Sequence, residues 1–297
     1  MRITSFLVAS LLVAAPSIVL AQSGMVHDMS SHDMASHAVG NTVDDTALPP
    51  DAEHSLARLN ASPRHGQWVM IPTTASGDSM RAWIVYPERS TKAPVVIVIH
   101  EIFGMSTWVR AVTDQLAADG YIAIAPDMLS GQKLPGAPDS VSIQDGVTAV
   151  SKLKPADVQT WIDAVAKYGM ALPSALHRYG IVGFCWGGGI SFGHAVHSPT
   201  LGAAVVYYGT SPSATELASV KAPVLGLYGG SDARVVATVA PADSEMKAMH
   251  KIYDPHVFEG AGHGFLRAQA GNNGANMKAT QQAWPATINW FRKYLGS

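Results

Sequence analysis

The amino-acid sequence predicts an α/β fold, in which helices cover both faces of a mainly parallel, twisted sheet. From residue 61 to the C-terminus, short apolar segments alternate with longer segments of helical periodicity, which is typical of βαβ units. The segment PVVIVI at residues 94–99 is apolar throughout, as expected of a strand buried on both faces. The 297 residues, 47% of them hydrophobic, suffice for one large domain with an extensive core.

The strands are predicted from short apolar or alternating segments that turn residues separate. They lie at residues 67–71, 80–86, 94–99, 121–125, 179–182, 203–208, 223–228 and 250–258. The last is predicted despite Pro255, and the Gly- and Pro-rich segment 126–138 is predicted to be a loop.

Longer segments with an apolar face predict the helices. They lie at residues 106–119, 141–168, 240–249 and 279–294, with one more from the GFCWGGG segment to about residue 197. In the first, Trp108, Val112 and Leu116 are four residues apart on one face, and Gly120 ends the helix. Pro155 is predicted to open a second helix within segment 141–168.

Charge and cysteine content exclude several classes of function. The chain has 20 Lys and Arg against 22 Asp and Glu, which argues against nucleic acid as the main partner. One cysteine, Cys185, can form neither an intramolecular disulfide nor a cysteine-rich zinc site. Neither G-x-G-x-x-G nor the P-loop pattern occurs, and we predict no cofactor.

Residues 1–21 are predicted to be a secretory signal peptide. Arg2 precedes an apolar run at residues 6–20, and Val19 and Ala21 are the small residues of a cleavage site. The run is shorter than a membrane span and contains Pro16, so we expect cleavage near Ala21 rather than a membrane anchor. The mature protein is then expected to be periplasmic or secreted, without stable membrane insertion.

Residues 22–60 are predicted to be a disordered tail, because they are polar and contain little apolar periodicity. His27, His32 and His37 recur every five residues among methionines, and imidazole with thioether suits copper, while imidazole suits zinc. A solvated linker that is rich in histidine by chance explains the same composition.

The segment GFCWG at residues 183–187 is the strongest candidate for a catalytic site. It fits the nucleophile elbow G-x-S-x-G, with Cys185 in place of serine, between a predicted strand and a predicted helix. Gly183 and Gly187 provide the small residues that such a sharp turn requires. At a helix N-terminus the dipole is expected to favour the thiolate form of Cys185, which is the nucleophilic form.

Asp232 and His263 follow two later strands and complete a candidate triad. Asp232 stands in the GGSD turn after segment 223–228, and His263 lies between glycines in GAGHGF. The chain order nucleophile, acid, histidine matches that of α/β-hydrolases. Alone, Asp232 also fits an ordinary Gly-rich turn.

The segment HEIFG after residues 94–99 is predicted to supply the oxyanion hole. The fold takes one oxyanion-hole amide from this position and one from the residue after the nucleophile, here Ile102 and Trp186. Glu101 would place a second carboxylate beside the thiol, which a generic α/β-hydrolase does not need.

Together HEIFG, APDML, GFCWGGG, GGSD and GAGHGF resemble the dienelactone hydrolase family, over roughly residues 80–296. The resemblance implies a triad of Cys185, His263 and Asp232, and a Glu101 that contacts the resting thiol. It also implies that Arg267, four residues beyond the histidine, binds a substrate carboxylate.

The predicted protein is therefore an exported cysteine hydrolase of a lactone or small carboxylic ester, with residues 61–297 as its α/β-hydrolase domain. Two alternatives stay open. The same triad serves an esterase for neutral or cell-envelope esters, and Arg267 is then a plain surface cation. A periplasmic metal-handling protein would instead use the His/Met tail. The sequence does not determine the oligomeric state.

Overall fold

The computed structural model describes residues 46–74, 77–132, 134 and 138–296. The predicted signal peptide and His27, His32 and His37 lie outside the described residues. No helix within the described ranges combines the length and the apolar character needed to cross a membrane.

The described residues form one eight-stranded sheet with the order β1-β2-β4-β3-β5-β6-β7-β8. The first two pairings, β1 with β2 and β2 with β4, are antiparallel, and the pairings from β4 to β8 are parallel. The strands are β1 Gly66–Pro72, β2 Ser79–Val85, β3 Ala93–Ile99, β4 Ile122–Pro126, β5 Ala175–Phe184, β6 Ala203–Tyr207, β7 Val224–Gly229 and β8 Tyr253–Phe258. The predicted, mainly parallel α/β sheet is confirmed.

Helices cover both faces of this sheet. They are α1 Ser55–Asn60, α2 Thr107–Ala118, α3 Ile143–Ser151, α4 Pro155–Met170, α5 Trp186–His197, α6 Ala214–Leu217, α7 Ala233–Val236, α8 Val239–Ala248 and α9 Ala275–Leu295. Alternate residues of β3 show why two layers form. Val95, Ile97 and Ile99 pack in one apolar cluster with α4, α5 and α8, while Val96 and Val98 pack in the other with α2 and α9.

Local signals fix the ends of several helices, and those at Pro155 and Gly120 were predicted. Ser106 and Ser142 precede α2 and α3, and each side-chain oxygen accepts a hydrogen bond from a backbone N–H three residues on, at 3.3 and 3.1 Å. Pro155 opens α4. Gly120, directly after α2, takes a φ of 102°, which ends the helix.

The predicted strand at residues 250–258 starts later than expected. His250 takes a φ of 54° in the turn after α8, so β8 begins at Tyr253. Pro255 is tolerated because β8 is the edge of the sheet, where a missing N–H leaves no ladder bond unmade.

The predicted domain boundary near residue 61 differs from the structure. Residues 46–60, assigned above to the disordered tail, are ordered and end in α1. Leu48 is buried, and the carbonyl oxygen of Pro50 accepts a hydrogen bond of 3.0 Å from the indole of Trp108. A polar, Pro-rich segment without periodicity can still be ordered by such contacts, which composition does not reveal.

Candidate active site

Cys185 stands in a strained turn between β5 and α5. Its φ of 57° and ψ of −115° are outside the helical and extended regions that non-glycine residues normally adopt. The turn is so tight that a Cβ on Gly183 would lie 1.8 Å from the carbonyl oxygen of Gly187. A Cβ on Gly187 would lie 2.4 Å from the carbonyl oxygen of Ile99, so the flanking positions admit no side chain.

The Cys185 thiol is half-buried and neutral at rest. The pKa of this thiol is raised to about 11, first by burial and then by the nearby charge of Glu101, while the Trp186 N–H opposes both effects. The expectation that the helix N-terminus would favour the thiolate is therefore wrong for the resting site. Desolvation and the neighbouring Glu101 carboxylate outweigh the Trp186 N–H and the Arg234 charge, which lower the pKa of the thiol.

Asp232 and His263 form a close pair beyond β7 and β8. Oδ2 of Asp232 lies 2.5 Å from Nδ1 of His263. Asp232 caps the short helix α7 by accepting a hydrogen bond from the Val235 N–H, and its side chain is only 9% exposed. A carboxylate held in this way orients the imidazole ring and leaves Nε2 as its free, basic nitrogen.

Glu101 and Arg267 form an ion pair in the same region. Glu101 is buried, and its Oε2 lies 3.3 Å from Nε of Arg267, although the two atoms are not aligned for a hydrogen bond. Burial raises the pKa of Glu101 more than the Arg267 guanidinium lowers it, so that the pKa is about 7. The guanidinium carbon also lies 4.9 Å from the centre of the Phe103 ring.

His100 fixes the orientation of the peptide that joins Glu101 to Ile102. Its Nδ1 lies 2.5 Å from the Glu101 carbonyl oxygen, and its Nε2 accepts a hydrogen bond of 3.2 Å from the Met128 N–H. The N–H of Ile102 therefore points away from His100, because C=O and N–H are opposed in a trans peptide. Among the described residues, no carbonyl oxygen accepts from the N–H of Ile102 or of Trp186.

Tyr208 lies directly after β6. Like His100, it is a residue near the candidate site that the sequence analysis did not single out. It has a φ of 40°, and its ring centre lies 5.2 Å from that of His263. Its hydroxyl is buried without a hydrogen-bond partner in the described part of the chain. Burial, followed by the charges of Glu101 and Cys185, raises the pKa of this hydroxyl well above its usual range. Tyr208 therefore brings an unpaired donor into the region of the candidate triad.

Two other histidines, both on α5, form hydrogen bonds within the fold and are not part of the candidate site. Buried His194 pairs with the Tyr179 hydroxyl at 3.0 Å and with Gln159 at 2.8 Å. His197 is exposed and pairs with Asp163 at 2.8 Å. Within the ranges that the structure describes, no group of three or more His, Cys, Asp or Glu side chains could hold a metal ion.

Comparison with known proteins identifies the family. The model of the dienelactone hydrolase family matches residues 80–295. A carboxymethylenebutenolidase homologue of Salmonella typhimurium is 34% identical over 235 residues, covering 75% of this chain and 86% of its own length. The homologue of Escherichia coli K12 is 33% identical, and the match covers 75% of this chain and 85% of the homologue.

Solved structures agree with these relatives. The crystal structure of a dienelactone hydrolase homologue from Klebsiella pneumoniae has a TM-score of 0.70 and 31% identity, covering 78% of this chain and 99% of its own. An acylaminoacyl peptidase from Pyrococcus horikoshii, at 16% identity and a TM-score of 0.59, shares the fold alone. The chain therefore has the α/β-hydrolase fold and belongs to the dienelactone hydrolase family.

Proposed function

We propose that this protein is a cysteine hydrolase that cleaves a lactone or a small carboxylic ester through an acyl-enzyme. One arrangement carries the proposal. The single cysteine follows β5 in a strained turn, and a paired His263 and Asp232 follow β8 and β7. Strands β5 to β8 are parallel, so their carboxyl ends meet at one edge of the sheet, where sites of α/β folds form. Membership of the dienelactone hydrolase family supports ester hydrolysis as the reaction.

Acylation begins with proton transfer from the Cys185 thiol to Nε2 of His263. The sulfur forms a bond to the substrate carbonyl carbon, and the π electrons move to the carbonyl oxygen. When this intermediate collapses, the carbon–oxygen single bond breaks, and the leaving oxygen takes the proton from His263. In a lactone, the leaving oxygen remains attached to the acyl chain.

The amides of Ile102 and Trp186 stabilise the oxyanion of this step. Neither N–H group donates to a carbonyl oxygen within the described part of the chain. The Trp186 N–H interacts with the Cys185 sulfur in the resting site, and a substrate oxygen would take the place of that contact. His100 holds the Glu101–Ile102 peptide in place, which means that the Ile102 donor does not have to reorganise during the reaction. Donors fixed in this way contribute roughly 3–4 kcal/mol each to lowering the barrier.

Water then releases the acyl group. His263 takes a proton from a water molecule, whose oxygen attacks the thioester carbon. The carbon–sulfur bond breaks, and the sulfur regains a proton from His263, which restores the neutral resting thiol. Asp232 keeps the imidazole in the required tautomer in both half-reactions.

Arg267 favours substrates that carry an acidic group. Its guanidinium lies beside Glu101, whose pKa of about 7 lets the ion pair weaken when a substrate carboxylate competes for the cation. An esterase for neutral substrates would use the same triad without this preference.

A substrate panel tests the proposal. We expect hydrolysis of an enol lactone that bears a carboxylate, slower hydrolysis of its neutral methyl ester, and loss of both activities after alkylation of Cys185 with iodoacetamide. Initial rates with and without alkylation provide the measurement. Undiminished hydrolysis by fully alkylated protein would exclude the cysteine nucleophile, and faster turnover of the neutral compound would favour the neutral-ester alternative.

Replacing Glu101 by glutamine is expected to change how stability depends on pH. The pKa of Glu101 is about 7 in the folded protein against an ordinary value of 4.5. The stability that this group contributes is thus fully present below pH 4.5 and is lost as pH rises through 7. The loss is at most roughly 3 kcal/mol. We expect the Tm of Glu101→Gln to decline less than that of the wild type over this interval.

The matched control is Glu245→Gln, an exposed carboxylate in α8. This variant is expected to keep the wild-type dependence of Tm on pH. Equal slopes for Glu101→Gln and the wild type would show that Glu101 ionises normally. In a second readout, removing the carboxylate charge is expected to lower the pKa of Cys185 and speed its alkylation at pH 8.

We also propose that the chain is exported, on the strength of residues 1–21 alone. Mass spectrometry of the protein from fractionated cells is expected to find it outside the cytoplasm with Gln22 as its first residue. A full-length cytoplasmic chain that begins at Met1 would contradict export. Copper or zinc binding by His27, His32 and His37 stays a prediction.

A further inference from the structure

Residues 46–60, which we call the N-terminal segment, hold the loop that carries Arg267. The backbone N–H of Ala52 donates a hydrogen bond of 2.9 Å to the carbonyl oxygen of Arg267. The side-chain amide of Gln269 donates one of 2.9 Å to the carbonyl oxygen of Pro49. These two bonds attach the segment to a loop that begins at the candidate catalytic histidine.

A cavity of about 290 Å³ lies between the N-terminal segment and the domain. Its lining comes from both, with Ala52, Ser55 and Leu56 from the segment and Phe103, Trp108 and Arg267 among the residues of the domain. The family model begins at residue 80, so one wall of this cavity lies outside the part of the chain that defines the family.

The polar groups of the cavity wall are already bonded, with one exception. The Asp139 carboxylate accepts hydrogen bonds of 2.6 and 2.5 Å from the backbone and hydroxyl of Thr107. The Ser55 hydroxyl donates to the Ala52 carbonyl oxygen at 2.8 Å. The guanidinium of Arg267 donates to no acceptor among the described residues. Five of the lining residues are apolar, and they give part of the cavity a surface suited to a hydrocarbon group: Ala52, Leu56, Phe103, Trp108 and Val141.

The cavity adjoins the candidate catalytic centre through two residues. Arg267 lines the cavity, while its Nε lies 3.3 Å from the carboxylate of Glu101. Phe103 also lines the cavity and directly follows Ile102, whose N–H is a proposed oxyanion donor. The side chain of Arg267 thus borders both the cavity and the carboxylate beside the candidate nucleophile.

We infer that the N-terminal segment forms one wall of the substrate site, and that the cavity accepts a ring-sized hydrocarbon substituent of the ester or lactone. At about 30 Å³ per non-hydrogen atom, the volume accommodates about ten such atoms, which is enough for the seven carbons of a benzyl group. The inference rests on the proposed hydrolase function, since that function places the reacting carbonyl next to the cavity. It assigns a role in substrate selection to residues that the family model does not include.

The variant Ala52→Leu tests the inference by adding three carbon atoms to the cavity wall. The rate constant kcat/KM is measured for ethyl acetate, for ethyl phenylacetate, with the ring on the acyl side, and for benzyl acetate, with the ring on the alcohol side. For each ring-bearing ester, its kcat/KM is divided by that of ethyl acetate. In Ala52→Leu we expect at least one of these two ratios to be about tenfold lower than in the wild type. A fall of less than about threefold in both ratios would overturn the inference.

The matched control is Ala156→Leu, an exposed position in α4 on the opposite face of the sheet, which is expected to keep the wild-type ratios. General misfolding of Ala52→Leu would lower all three rate constants alike and leave the ratios unchanged. Binding of 2-phenylacetamide, measured by calorimetry, supplies a readout without ester hydrolysis. If the wild type hydrolyses none of the esters, the proposed function fails. The inference about the cavity is then judged by amide binding alone. Weaker binding of 2-phenylacetamide by Ala52→Leu than by the wild type would support it, and equal binding would refute it.

Discussion

Cys185→Ala is expected to lower kcat/KM for ester hydrolysis by roughly 10⁴-fold or more, because the proposed acyl-enzyme forms on the sulfur that this variant lacks. Cys185 is the only cysteine of the chain, so the variant also loses all reaction with iodoacetamide. Rates with a lactone and with an aryl ester, measured beside thiol titration, provide the test. Wild-type turnover by this variant would remove the thiol from the mechanism.

Cys185→Ser is the companion variant, since it preserves the size of the side chain at a strained φ of 57°. We expect it to fold with a Tm close to that of the wild type and to hydrolyse esters far more slowly. Comparison of the two variants separates loss of the nucleophile from disturbance of the turn.

Asp232→Asn is expected to lower kcat on the order of 10⁴-fold while the protein stays folded. The amide can donate a hydrogen bond to Nδ1 of His263, which stabilises the tautomer with its proton on Nε2 and removes the free base that the proposed mechanism requires. Because the thiol itself is intact, Cys185 is expected to remain open to alkylation. Steady-state kinetics together with the rate of alkylation provide the measurement.

The chain offers a matched control in Asp163→Asn. Asp163 also pairs with a histidine, His197, at 2.8 Å, but both side chains are about half exposed and lie on the framework helices. This variant is expected to hydrolyse esters at the wild-type rate. Similar losses in the two variants would mean that Asp232 acts through general stability rather than through His263.

Much of the candidate site could be predicted because each residue follows a strand. Cys185, Asp232 and Glu101 come directly after apolar segments, and parallel strands bring their carboxyl ends to one edge of the sheet. Glycines beside Cys185 and His263 added a second local signal, since tight turns require them. The sequence therefore indicated the Asp232–His263 pair, whose contact the structure contains at 2.5 Å.

What the sequence did not predict depends on three-dimensional surroundings. The position of Cys185 at a helix N-terminus was visible, but the burial of its sulfur and the proximity of Glu101 were not, and these decide its pKa. The contribution of His100 arises from two hydrogen bonds, one of them to Met128 on another loop. The order of residues 46–60 likewise comes from partners more than 50 positions away, such as Trp108 and Gln269.

The raised pKa of Cys185 has a consequence for the oxidation of its sulfur. Peroxides and disulfides react with thiolates, and at pH 7 a thiol with a pKa of about 11 is ionised in only about one molecule in ten thousand. The burial that raises the pKa therefore slows oxidation of the sulfur. In the oxidising compartment that the proposed export predicts, this low ionisation would protect a lone thiol without a second cysteine.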